Sequence, residues 1–414
     1  MPDPVGFDLS ESALASARRA RDHGLCPECY GRQFGRLGHG LTNPERSARI
    51  TSALGAGPIP ENAECPVCGG LFTRLRTWVD RAVRAAEGFE WHRFTCGSRW
   101  DPERLAREEA IWIEVGTEWG ESVRSAFNRE LGKALAAATG GDGVTEHPDV
   151  VFLADLPVGR VETTVLPIYF QGRYRKLDRT LPQTRWPCRK CQGRGCTSCG
   201  GTGKTYATSV EEVIAGPFVR ATGATGTRFH GMGREDIDAR MLGRGRPFVL
   251  ELVRPRSRTV DLAAVRAELA RDGAGRVEAV DLRPAEALDV VRVKEASPEK
   301  SYRVGVAGEA PVAKVNEALE LALRQAIAQR TPKRVAHRRS DRVRTRRVVA
   351  AHVVEASEGR FTLDLRTEAG TYVKEWVEGD DGRTVPSLSS LLGVPLKVEW
   401  LDVLEIHDSD TQGG

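Results

Sequence analysis

The sequence predicts an α+β protein of two to three domains, and three observations carry that expectation. At 414 residues the chain exceeds what one ordinary core organises, a typical domain being about 100–200 residues. In the first half, Val123, Phe127, Leu131 and Leu135 recur every four residues, ahead of an apolar strand run at 150–154. In the second half, 360–366 alternates strictly, with Phe361, Leu363 and Leu365 to one side and charged or polar residues to the other, as in an antiparallel hairpin.

Taken in chain order, residues 10–22 read as a helix running into Gly24 and the pair Cys26/Cys29. A Pro/Gly-rich link at 55–60 leads to the pair Cys65/Cys68. The helix at 121–139 stops at Gly140-Gly141, since glycine reaches the left-handed conformation that ends a helix. A boundary is placed at 182, closing an N-terminal domain of residues 1–182. Residues 183–206 form a Cys/Gly-rich linker or knuckle, 207–407 a strand-rich catalytic domain, and 408–414 a flexible tail. Within the catalytic domain the expected elements are a strand at 247–253, a helix at 261–271, a helix at 317–329 on Leu319, Leu323 and Ile327, and a turn at 357–359 before the alternating strand.

Composition excludes several classes. The chain is 40% hydrophobic and 29% charged, and no run approaches the ~18 apolar residues of a membrane span. Its first residues lack the basic and apolar regions of a signal peptide, so a cytoplasmic protein, monomeric and without membrane contact, is expected. No glycine-rich loop follows a strand and opens a helix, which argues against a nucleotide cofactor. Nine cysteines in such a chain read as metal ligands, because reducing compartments do not keep structural disulfides. A CxxC turn presents two thiolates together, so Cys26, Cys29, Cys65 and Cys68 supply the four soft ligands of one structural zinc site. Cys188, Cys191, Cys196 and Cys199, set among glycines in a pattern similar to the cysteine repeats of J-protein chaperones, offer a second. Spacing alone leaves open whether one of these pairs joins an N-terminal pair.

The net charge of +4 is modest, but its distribution is not. Residues 331–350 hold eight cations, Lys333, Arg334, Arg338, Arg339, Arg342, Arg344, Arg346 and Arg347, against the single acid Asp341. Solvated faces usually mix signs, so this run reads as a phosphate-contacting surface for RNA. Residues 171–176 form a weaker basic candidate. The charged string 229–243, lying between glycines directly before the 247–253 strand, places Asp236 and Asp238 where a sheet can hold a loop carboxylate rigidly.

Gly233-Arg234-Glu235-Asp236 resembles the G-R-x-D motif of pseudouridine synthases, and the longer string GREDIDARMLGRGRPF is similar to the archaeal and eukaryotic family that acts on the TΨC arm of tRNA. The likeness extends to Glu299-Lys300-Ser301-Tyr302-Arg303, to Arg330-Thr331-Pro332 with His337-Arg338-Arg339, and to Gly370-Thr371-Tyr372-Val373-Lys374. It implies a zinc-containing, THUMP-like RNA-binding N-terminal domain and a catalytic domain around a mixed, mainly antiparallel sheet. The implied reaction isomerises uridine to pseudouridine in tRNA at position 55, and at 54 as well, after the uridine is flipped from its stack. It needs no catalytic cofactor, since no redox change occurs and nothing is transferred from elsewhere. The resemblance makes Asp236 the nucleophile, with Asp238 outside the motif register as a secondary candidate. By the same match Tyr302 stacks on the base and takes part in removing the C5 proton, Tyr372 lines the pocket, and Lys374 pairs with the nucleophile. Arg234 of the motif joins the substrate-binding set.

Overall fold

The protein is described by a computed structural model at residues 7, 9–338 and 340–408, without the side chains of 337 and 338. It divides into two compact units, Met1–Leu166 and Pro167–Gly414. The expected boundary at 182 therefore lies inside the second unit. Residues 171–176, read from their charge as an RNA-facing segment, belong to the strand Ile168–Lys176, which pairs antiparallel with Arg240–Val253 and buries Tyr174 and Lys176 completely.

In the first unit, a four-stranded sheet runs in the order Asp142–Gly143, Arg93–Arg99, Val150–Asp155, Arg160–Val165. The helix Val123–Thr139 lays Val123, Phe127, Leu131 and Leu135 into the core beside Phe94 and Phe152. Ser122 caps its first turn by accepting from the Ser125 amide at 3.1 Å, and Gly140 ends it in the left-handed conformation. Ahead of the sheet, the helix expected at 10–22 spans Glu11–Arg21 and starts at a Ser10 cap.

The second unit is built on an eight-stranded sheet. Along it run Val348–Ser357, Arg360–Thr367, Glu299–Ala307, Lys397–His407, Arg240–Val253, Ile168–Lys176 and Val277–Ala285, with Gly226–Gly231 also paired to Arg240–Val253. Every pairing is antiparallel except that of Lys397–His407 with Arg240–Val253, which meet in parallel at Asp402↔Arg240 and Val403↔Met241. The sheet is mixed and mainly antiparallel, as expected. A smaller sheet joins Val343–Arg346, Ile327–Arg330 and Thr384–Val385.

The helix expected at 317–329 is out of place. It spans Val312–Leu323, and Ile327 begins a strand in register with Arg346. Leu319, Leu323 and Ile327 share a helical spacing, but Leu323 is exposed and Ile327 is buried by strand pairing. Of the expected tail, residues 409–414 lie outside the described residues, and Asp408 is bound to Arg173 at 2.7 Å. No described helix is long and apolar enough to cross a membrane.

Candidate active site and cysteine clusters

The hairpin of Gly226–Gly231 and Arg240–Val253 is joined by residues 232–239, and this connection lies over the point where the sheet changes from antiparallel to parallel pairing. Buried polar groups hold it from below. The Lys176 ammonium, fully buried, donates to the carbonyls of Leu181 at 2.9 Å, Asp236 at 3.2 Å and Ile237 at 2.7 Å. Arg246 donates to the Met232 carbonyl at 2.7 Å and pairs with Glu235 at 2.8 Å, both side chains being 1% exposed. Tyr174 donates to the same carboxylate at 2.8 Å, and Gln183 ties the Tyr174 hydroxyl at 2.8 Å to the Gly233 carbonyl at 3.0 Å. A Cβ at Gly233, whose φ is +77°, would sit 3.2 Å from Arg246 Nη1, so glycine there lets the chain pass directly over the guanidinium. Asp236 is thereby carried on a backbone with little freedom.

Asp236 opens into a cavity of about 260 Å³ whose lining includes Arg234, Tyr302, Tyr372, Lys374 and Arg334. Two cations flank its carboxylate. Arg334 Nη1 donates to Oδ1 at 2.9 Å, and Lys374 Nζ lies 3.6 Å from Oδ2. Lys374 is closer to Asp238, at 2.8 Å, and Arg334 is steadied by an ion pair with Glu375, which is nearly buried. Burial pushes the Asp238 carboxyl up, but the Lys374 hydrogen bond and charge outweigh it and hold it below the usual carboxylate range.

Tyr302 extends from Glu299–Ala307 between Leu365 and Val403 on the flanking strands. Burial pushes its hydroxyl up to about 12, so it enters the site as a neutral phenol. Tyr372 precedes the short helix Val373–Glu378, and its backbone is clamped by Gln329, which accepts from its amide at 2.9 Å and donates to its carbonyl at 3.0 Å.

The structure separates the basic run by role. Asp341, its only acid, is taken by Arg330 at 2.6 Å and Arg383 at 2.8 Å. Lys333 is paired with Asp381, and Arg334, assigned to RNA on charge alone, is turned inward onto Asp236 and Glu375. Arg342 is exposed. Arg339 and the side chain of Arg338 lie outside the described residues. Reading residues one at a time did not give Lys176, Arg246, Tyr174, Glu235 and Gln183 their buried roles; for Lys176 and Arg246 the reason is that a charge inside a strand looks like a solvent-facing position until the sheet is assembled. The one available signal was the concentration of charges in strands flanking the same loop.

The cysteines form two separate groups, Cys26/Cys29/Cys65/Cys68 and Cys188/Cys191/Cys196/Cys199, and in each the four sulfurs lie within 4.8 Å of one another. The pairing left open by spacing is resolved within each segment. A tetrahedral ion with metal–sulfur bonds of about 2.3 Å has sulfur–sulfur edges of about 3.8 Å. The distances here are 3.6 Å for Cys26–Cys68, 3.9 Å for Cys188–Cys196 and Cys191–Cys199, and 3.7 Å for Cys196–Cys199, so either group could hold such an ion. Amides of Gly195, Cys196 and Gly203 each donate to a cysteine sulfur at 3.2 Å, the support that thiolate ligands require.

Comparison with known proteins agrees across nearly the whole length. The family model described as "Pus10, C-terminal" matches residues 169–407, and "Pus10 THUMP domain, archaeal" matches 78–155. The tRNA pseudouridine synthase Pus10 of Methanothrix thermoacetophila is 41% identical over 435 residues, covering 97% of this chain and 95% of that protein. Its counterpart in Methanothermobacter marburgensis is 42% identical over 395 residues, covering 94% and 96%. Among solved structures, an archaeal box H/ACA sRNP Nop10-Cbf5 complex matches with a TM-score of 0.28 and 14% identity over 56% of this chain and 47% of that one, too low to carry any argument.

Proposed function

The chain belongs to the Pus10 family of tRNA pseudouridine synthases, and from that premise we propose that it isomerises uridine in the TΨC arm, at position 55 and also at 54, with Asp236 as nucleophile. The observation that supports this reading is the convergence of Asp236, Arg234, Tyr302, Tyr372 and Lys374 on one cavity. The target uridine is flipped out of its stack, a step costing a few kcal/mol that backbone contacts must offset. Asp236, flanked by Arg334 and Lys374, attacks C1′ or stabilises the positive charge growing there as the N1–C1′ bond breaks. The bond electrons leave with N1. The freed uracil turns against Tyr302, C5 bonds to C1′, the C5 proton departs, and N1 regains a proton. Atoms and electrons balance without a cofactor, which leaves metal at the cysteines a structural task. In this reading the enzyme works in the cytoplasm as a monomer. The direct test is to incubate the purified protein with an unmodified tRNA transcript and map the product. Pseudouridine at 55, alone or with 54, supports the reading; tRNA binding with no product at either would point to an RNA-binding protein without this chemistry.

Lys300 lines the same cavity, and burial, reinforced by Arg246, pulls its ammonium down to about 8. Its positive charge favours a uracil leaving as an anion. As pH rises through about 8 that charge is lost, and the rate should fall. Stability moves the other way for this group: between about 8 and 10.5 the unfolded chain holds the proton longer than the folded one, so folding is favoured as pH rises. An alkaline loss of rate is therefore not unfolding driven by Lys300. Lys300→Met should lower the plateau by roughly tenfold and flatten the alkaline limb; an unchanged limb in the variant would assign it elsewhere.

Zinc is the ion proposed for both cysteine groups, because four thiolates in a closed tetrahedron are its usual structural site. Cys65→Ser should reduce bound zinc from two ions to one per chain and lower the melting temperature by several degrees. Metal analysis that still finds two would sink the N-terminal assignment.

A further inference from the structure

The second cysteine group serves no step of the reaction, yet it sits beside the catalytic cavity. Its base is a short antiparallel closure, with a bridge between Pro187 and Lys204 and the Thr205 amide donating to the Trp186 carbonyl at 2.9 Å. Trp186, just outside the closure, meets Tyr206 edge-on at 5.7 Å and lies under the Arg234 guanidinium at 5.2 Å. Arg234 lines the cavity next to Asp236, so the knuckle and the reacting residues are adjoining parts of one surface.

The charge of this element is one-sided. From Arg185 to Ser209 there is no Asp or Glu, against five cations, Arg185, Arg189, Lys190, Arg194 and Lys204. Lys204 pairs with Glu212. Arg189, Lys190 and Arg194 are exposed and form no ion pair among the described residues; Lys190 donates to Ser198 Oγ at 2.9 Å and Arg194 to the Cys191 carbonyl at 3.2 Å. A solvated face of a protein with nearly balanced charge would mix signs. Three like charges kept apart on a tightly turned, glycine-rich loop repel one another unless an anion lies between them.

We propose that the 186–206 knuckle is a phosphate clamp that grips the tRNA backbone beside the flipped uridine, presenting Arg189, Lys190 and Arg194 to successive phosphates. This rests on the tRNA reading above and assigns to it a contact surface separate from the 331–350 run. The metal's part is to hold a loop too glycine-rich to order itself. Through Trp186 and Arg234, backbone docking on the knuckle is transmitted to the wall of the cavity.

The test is binding of an unmodified tRNA transcript across a salt series by the full-length protein and by a variant carrying Arg189→Gln, Lys190→Gln and Arg194→Gln. Each phosphate the protein no longer neutralises flattens the slope of log affinity against log salt by about 0.7–0.9, so the variant should be shallower by about 2 and bind at least tenfold more weakly. Its metal content should match the native protein, which separates missing phosphate binding from a collapsed knuckle. Hydroxyl-radical footprints should lose protection at nucleotides next to the modified uridine. An unaltered slope and affinity in the variant, with the native protein binding normally, overturns the clamp, as does a loss of protection confined to a distant part of the tRNA. Failure of the native protein to bind tRNA at all would instead remove the functional reading on which the clamp rests.

Discussion

Asp236→Asn is expected to abolish pseudouridine formation, by more than about a thousandfold, while leaving the fold and tRNA binding intact. The substitution removes a charge and almost no volume. The Asn oxygen can still accept from Arg334, which now donates to Oδ1 at 2.9 Å. Asp236 is about one-third exposed and Arg334 slightly more, and an exposed pair of this kind contributes only about 0–1 kcal/mol, so the melting temperature should barely move. What is lost is the carboxylate proposed to engage C1′ as positive charge develops there. Asp238→Asn is the matched control. Its carboxylate is two-thirds exposed and holds Lys374 at 2.8 Å; without it, Lys374 is free to close on Asp236 from its present 3.6 Å. That variant should stay within about tenfold of native, as expected for a group that only shares a cation. A reversal, with Asp236→Asn active and Asp238→Asn dead, would move the nucleophile two residues along the loop.

How far the site could be read without a structure depended on the kind of information each residue carries. Cysteine spacing is local, so both knuckles were visible; which pairs converge is a matter of tertiary position, and the sequence left it open. The G-R-x-D string is local too and marked Asp236. Arg334 shows the opposite case. Within a run of eight cations nothing local distinguishes it, and only the fold of 331–342 brings it to Asp236 and Glu375. Residues 171–176 carry information of the same non-local kind: Arg173, Arg175 and Lys176 read as a basic patch, but their partners, Asp408, Glu278 and the carbonyls of the 232–239 loop, lie far off in the chain. The 317–329 helix failed on periodicity, because a buried strand residue four positions after a helical one continues the pattern without continuing the helix.

The same contrast between exposed and buried charge gives Arg246→Met the largest expected cost in stability. Arg246 and Glu235 are a hydrogen-bonded ion pair with both side chains 1% exposed, on the floor of the loop that carries Asp236. Removing the guanidinium leaves a buried carboxylate whose remaining hydrogen bond among the described residues comes from the Tyr174 hydroxyl, and breaking a pair of this kind costs about 3–5 kcal/mol. In a unit of this size that is a fall of roughly 10 °C in melting temperature. Activity should fall as well, since the Met232 carbonyl loses its donor and the loop bearing Asp236 loosens. Adding Glu235→Leu removes the stranded charge and should recover much of the stability, because an apolar pair can replace a buried ion pair at little cost. It should not recover activity, for the loop still lacks its anchors. The pair of variants thus separates the two roles of one salt bridge: calorimetry reports the desolvated charge, and the pseudouridine assay reports the position of Asp236. A single Arg246→Met variant melting within about 1 °C of native would show that the pair does not carry the stability, and one with native activity would show that it does not position Asp236.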